Sequence, residues 1–522
     1  MSDARSDKNT SPIGILGYGG YLPRMRLERS AVAQANAWFA PNFAGASKSA
    51  GTRSFANWDE DSITMAVAAA RDCLGAGEDR SRIKGVTLAS STLPFAERMN
   101  SGIVAEALTL DDDLETLDLT GSQRSALAGL AQALAKASSP SSRGEILVLA
   151  ADDRKTRPAS AAELEVGDGA AAMLVGSGPR DRVLAELLGT GTVSVDFVDH
   201  FRPAGEDVDY VWEERWIRDE GVSKLVPQAI KRALTAAGIG AEQIDTFVFP
   251  STLAKMDAQV AKACGIRPDA LVDSLASGIG DTGVAHPLLL LAHALEKARP
   301  GQHVLVAQFG SGAQALVFRV TDAIGSFRPK VGVSGWIARG VSEANYTKFL
   351  SFKGSLVLEK GMRGEQDKKT ALTTLYRHRK AILGLVAGRD EATGAVHFPP
   401  SRLSLGGNSA GAQPVGTPAQ ESQRPYKLAE RGARVLSWSA EYLSYHPSPP
   451  NHYGQVDFDG GGRILMEFTD ITRGEIDVGT PMEMVFRIKD RDEKRGFTRY
   501  FWKATPVRSG TLSTSAPEKK EH

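Results

Sequence analysis

Cysteine is almost missing from this sequence: Cys73 and Cys264 are the only two in 522 residues. Both fall in helix-like stretches, AARDCLG and AKACGI, so no disulfide framework can be read. An excess of either charge is also missing, because 62 Lys plus Arg balance 62 Asp plus Glu. That balance speaks against a polybasic surface for nucleic acid or anionic lipid. No apolar run approaches the ~18 residues of a membrane span. The opening MSDARSDKNTSP has no apolar core of a signal peptide. The expectation is a cytoplasmic protein with no membrane and no nucleic-acid partner. What is present is a globular composition, 42% hydrophobic and 24% charged with 53 glycines. The length suits roughly two to four domains.

Two stretches of the first part follow one plan. ITMAVAAARDCLGAG then RIKGVTLASS gives an amphipathic helix, a glycine stop and a buried strand; VPQAIKRALTAAGIG then QIDTFVFPST repeats it. GSQRSALAGLAQALAKA then GEILVLAADD is echoed by IGDTGVAHPLLLLAHALEKA then GQHVLVAQFG. Ile83 to Ile244 is a step of 161 and Ile146 to Val304 a step of 158, which predicts an internal duplication. Strands such as ILVLAA are apolar throughout, as buried strands are. The helices SALAGLAQALA and PLLLLAHAL are apolar nearly all round and are expected at the centre. The step of 158 carries Gln123 onto Asp281, at the starts of the two buried helices. That places a candidate site at the pseudo-dyad.

The same residues resemble the thiolase superfamily, in the branch of hydroxymethylglutaryl-CoA synthase and ketoacyl synthase III. IGILGYGGYLPRMRL is similar to the opening strand and loop of that branch, and DEDSITMAVAAAR to its first long helix. GDGAAAMLVG and FGSGAQALVFRV resemble the strands that close its two halves. The resemblance implies a thiolase-like α/β domain over residues 11–322, a duplicated αβαβα arrangement with halves at about 11–176 and 183–322. It also places the family's catalytic cysteine at Gln123, its general-base glutamate at Ser91, its histidine at Pro250 and its asparagine at Asp281. The family's lysine is kept as Lys255. A covalent acyl-cysteine is therefore not expected.

After FRVTDAIGSF the periodicity changes. Residues 345–382 read as helices within a linker spanning 323–384. ATGAVHFPPSRLSLGGNS resembles the start of a zinc-ribbon module that accompanies thiolase-like subunits, here over 385–430. The ligand positions of that module hold Asp390, Thr393, Ser404 and Ser409. Tetrahedral zinc needs thiolate or imidazole ligands, so a metal-free, degenerate ribbon is expected. Short alternating runs over 431–507 fit a small all-β OB-fold barrel. Residues 508–522 read as a disordered tail, and 406–424 as a flexible loop.

The candidate catalytic residues are Gln123, Asp281 and His286. An amide at Gln123 can donate to a thioester carbonyl or enolate oxygen but is no nucleophile. It is equally the filling of a disused pocket. Asp281 can be a helix cap. His286 can serve as an acid/base near neutral pH or point elsewhere. Lys255, Ser91 and Ser122 are the candidate contacts for a coenzyme A thioester, and no metal is expected. Arg124 reads as structural. Asp199 and His200 are adjacent, which on a strand sends their side chains to opposite faces. Trp212 and Trp216, four apart, can form one helical core face. The resemblance implies an acyl-CoA-binding, synthase-like pseudoenzyme that supports β-ketoacyl-CoA cleavage or formation by a separate thiolase subunit, as a homodimer in an acyltransferase complex. The alternative is a cysteine-independent decarboxylase or retro-Claisen/aldol enzyme using Gln123 and His286.

Overall fold

A computed structural model describes residues 11–508, apart from 44–49, 78, 140, 142–143, 366–367, 370, 392 and 402–422. Nine strands form one ladder in the order Thr246–Val248, His303–Phe309, Gly312–Val320, Ala185–Ser194, Ile13–Tyr21, Gly169–Ser177, Glu145–Asp152, Ile83–Ala89, Glu115–Leu119. The order reads outward from the middle as two copies of one pattern. Val86 stands opposite Leu147 in a parallel pair, and Phe247 opposite Leu305 in another. These are the steps of 161 and 158 met in the sequence. The duplication therefore holds to the residue. At the place matching the edge strand Glu115–Leu119, the second half has only a single parallel bridge, Phe247 to Leu271.

The halves join through two antiparallel pairs, Gly14–Glu186 and Ile15–Ala185. Between them lie the helices Ser125–Ala137 and His286–Leu295. Leu127, Leu130 and Leu134 share one core with Leu288, Leu289 and Leu291, and both half-sheets supply it, through Val148 and Met173 on one side and Val306 and Leu316 on the other. Alternation along Glu145–Asp152 sends Val148 and Ala150 to this centre, and Leu147 and Leu149 to the outer face. The outer faces are covered by the helices Ser62–Leu74 and Ser223–Ala237. Both lie close because the strands beneath carry glycine. A Cβ at Gly19 would come within 2.4 Å of Cys73 N, and one at Gly191 within 2.5 Å of Ala233 N. The result is five layers, αβαβα.

Residues 323–384 differ from a purely helical linker. A helix Gly332–Ala338 comes first, glycines with positive φ at Gly354 and Gly361 limit the next to Tyr346–Phe352, and short helices follow at Leu372–Arg377 and Arg379–Ile382. A strand, Val341–Glu343, pairs with Met25–Glu28, which in turn pairs with Thr52–Phe55. Phe349 packs edge-on against Phe55, and the buried Lys353 pairs with Asp153 and Asp168. The segment is a strap bound to the first domain.

The strands Val386–Asp390, Val396–His397 and Gln423–Lys427 form the small sheet at the ribbon position. The Asp390 carboxylate accepts from Thr393 N at 2.9 Å, closing the turn where the resemblance placed metal ligands. Ser404, Ser409, most of the 406–424 loop and residues 509–522 lie outside the described residues. Beyond the ribbon, five antiparallel strands run in the order Arg463–Glu467, Asn451–Phe458, Ala433–Glu441, Pro481–Asp492, Phe497–Pro506. A parallel bridge from Phe468 to Ala504 closes them into a barrel.

The barrel is not separate from the first domain. Met482, Met484, Phe486, Ile488 and Trp502 belong to the same core as Ile63, Val67 and Ala70 of the outer helix. Buried charges surround that seam. Arg487 pairs with Glu60 and Asp470, Lys503 Nζ lies 3.0 Å from Asp59, and Tyr500 Oη donates to Asp61 at 2.6 Å. Asp61 also caps the outer helix by accepting from Thr64 N at 2.9 Å.

Candidate functional site at the pseudo-dyad

The turn Ser122–Arg124 opens the buried helix Ser125–Ala137 and rests on the Gly310 turn of the other half. Gly310, at φ +154°, has no room for a side chain: a Cβ there would lie 2.8 Å from Ser122 Oγ and 3.3 Å from Gln123 Cβ. Ser122 Oγ donates to Gly310 O at 3.0 Å, and Arg124 Nε to the same oxygen at 2.8 Å. Arg124 also reaches Ser194 Oγ at 3.0 Å. Ser122 and Arg124 thus pin the turn. Gln123 is the half-buried side chain between them, and its Nε2 is 3.4 Å from His200 Nε2.

His200 comes from a hairpin in the connection between the halves, where His200–Phe201 pairs with Tyr210–Val211. Trp212 N donates to Asp199 O at 2.9 Å, closing the hairpin. Asp199 and His200 do not diverge, because Asp199 precedes a strand of only two residues and its Oδ2 lies 3.0 Å from His200 Nδ1. The expectation drawn from strand alternation is thereby corrected. Trp212 and Trp216 are also not core: they are 53% and 45% exposed, Trp212 beside Tyr210, which meets Phe201, and Trp216 stacked on Phe197.

Arginines strap the hairpin down. Arg202 donates to Ser91 O and, at 3.1 Å, to Asp209. Arg154 donates to Asp209 at 2.8 Å and lies 3.6 Å from Asp281 Oδ2. Burial alone would raise the Asp209 carboxyl, but Arg154, Arg202 and His200 outweigh it and hold it below the usual carboxylate range. Gln123, Ser91 and Asp281 are thus connected through one polar chain. Its middle members, His200, Arg202, Asp209 and Arg154, are dispersed in sequence. The charged, aromatic VDHFR stretch was the available signal for two of them, His200 and Arg202.

The second helix start is closed. Asp152, fully buried, accepts from Val284 N at 2.8 Å and Ser91 N at 2.7 Å, with Ser90 and Ser91 hydroxyls at 3.1 Å. Burial raises its carboxyl, and those bonds and Arg154 counter the rise. His286, 2% exposed, donates from Nε2 to Ser274 O at 3.0 Å and accepts at Nδ1 from Thr282 N at 3.1 Å. Burial lowers its pKa and keeps the ring neutral. Asp281 accepts from Gly283 N at 3.1 Å, within the turn that leads into the helix. Lys255 is exposed at the start of the helix Met256–Cys264.

Both cysteines lie in helices away from this turn. Cys73 is buried in the outer helix against Gly17 and Gly19. Burial pushes the Cys264 thiol up to about 11 and that of Cys73 higher still, opposite to the shift a nucleophilic thiolate requires. Among the described residues no group of three His, Cys, Asp or Glu side chains is arranged to hold a metal ion, and no helix is long and apolar enough to cross a membrane.

Comparison with known proteins agrees with this architecture. The family model of the 3-oxoacyl-[acyl-carrier-protein] synthase III C terminal matches residues 234–320, and that of the ChsH2 C-terminal OB-fold domain matches residues 426–487. Hydroxymethylglutaryl-CoA synthase of Archaeoglobus fulgidus is 31% identical over 333 residues, covering 61% of this chain and 93% of that protein. The synthase of Aeropyrum pernix is 28% identical over 354 residues, covering 67% and 96%. Among solved structures, MvaS in complex with 3-hydroxy-3-methylglutaryl coenzyme A superposes with a TM-score of 0.54 at 21% identity, covering 66% of this chain and 92% of that one. 3-Oxoacyl-(acyl carrier protein) synthase III of Pseudomonas aeruginosa gives 0.51 at 23% identity, covering 60% and 98%. The duplicated layers, the paired helix starts and these relatives converge: the chain belongs to the hydroxymethylglutaryl-CoA synthase family of the thiolase fold, joined to a C-terminal OB-fold domain.

Proposed function

We propose that this chain binds acyl-CoA thioesters without forming a covalent acyl-enzyme, and that it supports β-ketoacyl-CoA cleavage or formation by a separate, cysteine-bearing thiolase subunit. The observation that carries the reading is the helix-start turn, which offers the amide of Gln123 while both thiols lie elsewhere with raised pKa values. The amide donates a hydrogen bond to a thioester carbonyl at the positive end of the Ser125–Ala137 helix. Lys255, exposed, offers its ammonium to the phosphates of coenzyme A, with Ser91 lining the approach. Asp281 and His286 set the shape of the opposing turn.

The exposed rim of Phe201, Tyr210, Val211 and Trp212 supports a partner surface beside the site, since large apolar groups clustered on a surface mark interfaces. The edge strand Glu115–Leu119 supports pairing with a second copy, which would cover its free ladder. The ribbon position is proposed to hold no zinc, and elemental analysis near one zinc per chain would overturn that. For the site itself the test is intact-mass measurement after incubation with acetyl-CoA or acetoacetyl-CoA, beside calorimetric titration. Binding with no mass adduct is expected; a stable acyl adduct refutes the noncovalent route.

The second reading, an enzyme that needs no cysteine, cannot draw its proton carrier from His286 as that ring stands, with both nitrogens engaged and 2% exposed. The observation that favours this reading is a different histidine.

A further inference from the structure

We propose that His200 is a general base for attack of water on the bound thioester, with Asp199 as its positioning residue, so that the chain hydrolyses acyl-CoA thioesters at the Gln123 turn. The inference rests on the thioester-binding reading above and adds a reaction to it.

The geometry is that of a nucleophile-activating pair with the nucleophile removed. Asp199 Oδ2 lies 3.0 Å from His200 Nδ1, which fixes the proton on Nδ1 and leaves the Nε2 lone pair facing Gln123. The 3.4 Å contact between Nε2 and the Gln123 amide is longer than a well-formed N–H hydrogen bond and is readily exchanged for one to water. The pair is held in place rather than loose. Arg202 of the same hairpin is bound to Ser91 O and Asp209, and Asp209 to Arg154. His200 and Asp199 side chains keep 21% and 15% exposure, so solvent and substrate reach them, unlike His286.

With no thiol at the turn, the nucleophile available to this pair is water. Its oxygen bonds to the thioester carbonyl carbon as His200 Nε2 takes its proton. Charge gathers on the carbonyl oxygen, where the Gln123 amide and the helix N-terminus face it. The C–S bond then breaks, and the proton on Nε2 goes to the departing thiolate. Acyl-CoA and water give a carboxylic acid and coenzyme A thiol, with no redox change and no other reactant.

The test uses the purified full-length chain with acetyl-CoA and acetoacetyl-CoA, following release of coenzyme A thiol beside calorimetric binding of the same thioesters. The wild type is expected to release thiol. His200→Ala should lose about 10²-fold or more in kcat while its Kd stays within about twofold, and added imidazole should restore part of the rate. Asp199→Asn should lower kcat with KM unchanged, and Asp199→Glu should recover part of it. Binding without thiol release, or release that His200→Ala leaves unchanged, overturns the dyad while sparing the binding reading. No binding by the wild type overturns the binding reading and the dyad together.

Discussion

Two helix starts meet at the centre of this molecule, related by the internal repeat, and they have been finished in opposite ways. At the second, the strand end of the first half delivers Asp152, whose carboxylate fills the space under Val284 N and Gly283. At the first, the step of 158 that relates the halves puts Gly310 where Asp152 would be. Glycine brings only a main-chain oxygen, which Ser122 and Arg124 take up, and Gln123 is left to face the hairpin. One start is plugged with a buried anion and a neutral histidine. The other is open to a histidine that retains solvent contact. A duplicated fold thus makes two matching places, and the residue on the facing strand end decides which of them stays open.

The largest effect should come from unplugging the closed start. Asp152→Ala strands Val284 N, Ser91 N and two hydroxyls, and should lower the unfolding free energy by about 3 kcal/mol, read by denaturant unfolding. A loss below about 1 kcal/mol would mean that the two starts are more alike than their geometry says.

Next is His286→Ala, at about 2 kcal/mol, because Ser274 O and Thr282 N lose their buried partner. The same ring gives a pH signature. Its folded pKa is depressed by burial from 6.5, so as pH falls below that value the unfolded chain binds a proton that the folded chain resists. Stability is therefore full above the unfolded pKa and falls with acidification. Comparing unfolding at pH 7 and pH 5, His286→Ala should show a smaller drop than the wild type.

Closing the open start should have a smaller structural effect and a visible functional one. Gly310→Ala forces a Cβ within 2.8 Å of Ser122 Oγ at a φ that favours glycine, for about 1–2 kcal/mol. Acetyl-CoA binding should weaken because the Gln123 turn is displaced. Smallest is Gln123→Ala, which should leave the unfolding free energy within about 0.5 kcal/mol of wild type. It separates a residue that serves the ligand from one that serves the fold.

The duplication was legible because helix and strand repeats carry their spacing in the sequence: Val86 pairs with Leu147 and Phe247 with Leu305, as the offsets said. The barrel was legible from its short alternating runs. His200 was not, because the alternation rule assumes a strand longer than the two residues that pair here, and the bend at Asp199 removes its premise. The arginine straps were not legible either. Arg154, Arg202 and Asp209 meet through the turns at the ends of distant strands, and local patterning carries no record of such meetings. The helical reading of 345–382 overran because Gly354 and Gly361 take positive φ and break the helix after Tyr346–Phe352. The strand Val341–Glu343, just before it, was missed because its ladder partner, Met25–Glu28, lies three hundred residues away.

The seam between barrel and outer helix reaches further than the packing it secures. Tyr500 of the barrel holds Asp61, and the next residue, Ser62, donates through its hydroxyl to Thr92 O at 2.9 Å. Thr92 in turn follows Ser91, the residue gripped by Asp152 on one side and Arg202 on the other. Barrel, helix start and site loop therefore form a short lever with Asp61 as its pivot. A force applied to the barrel by anything that docks there arrives at Ser91 after two links, with no slack element between.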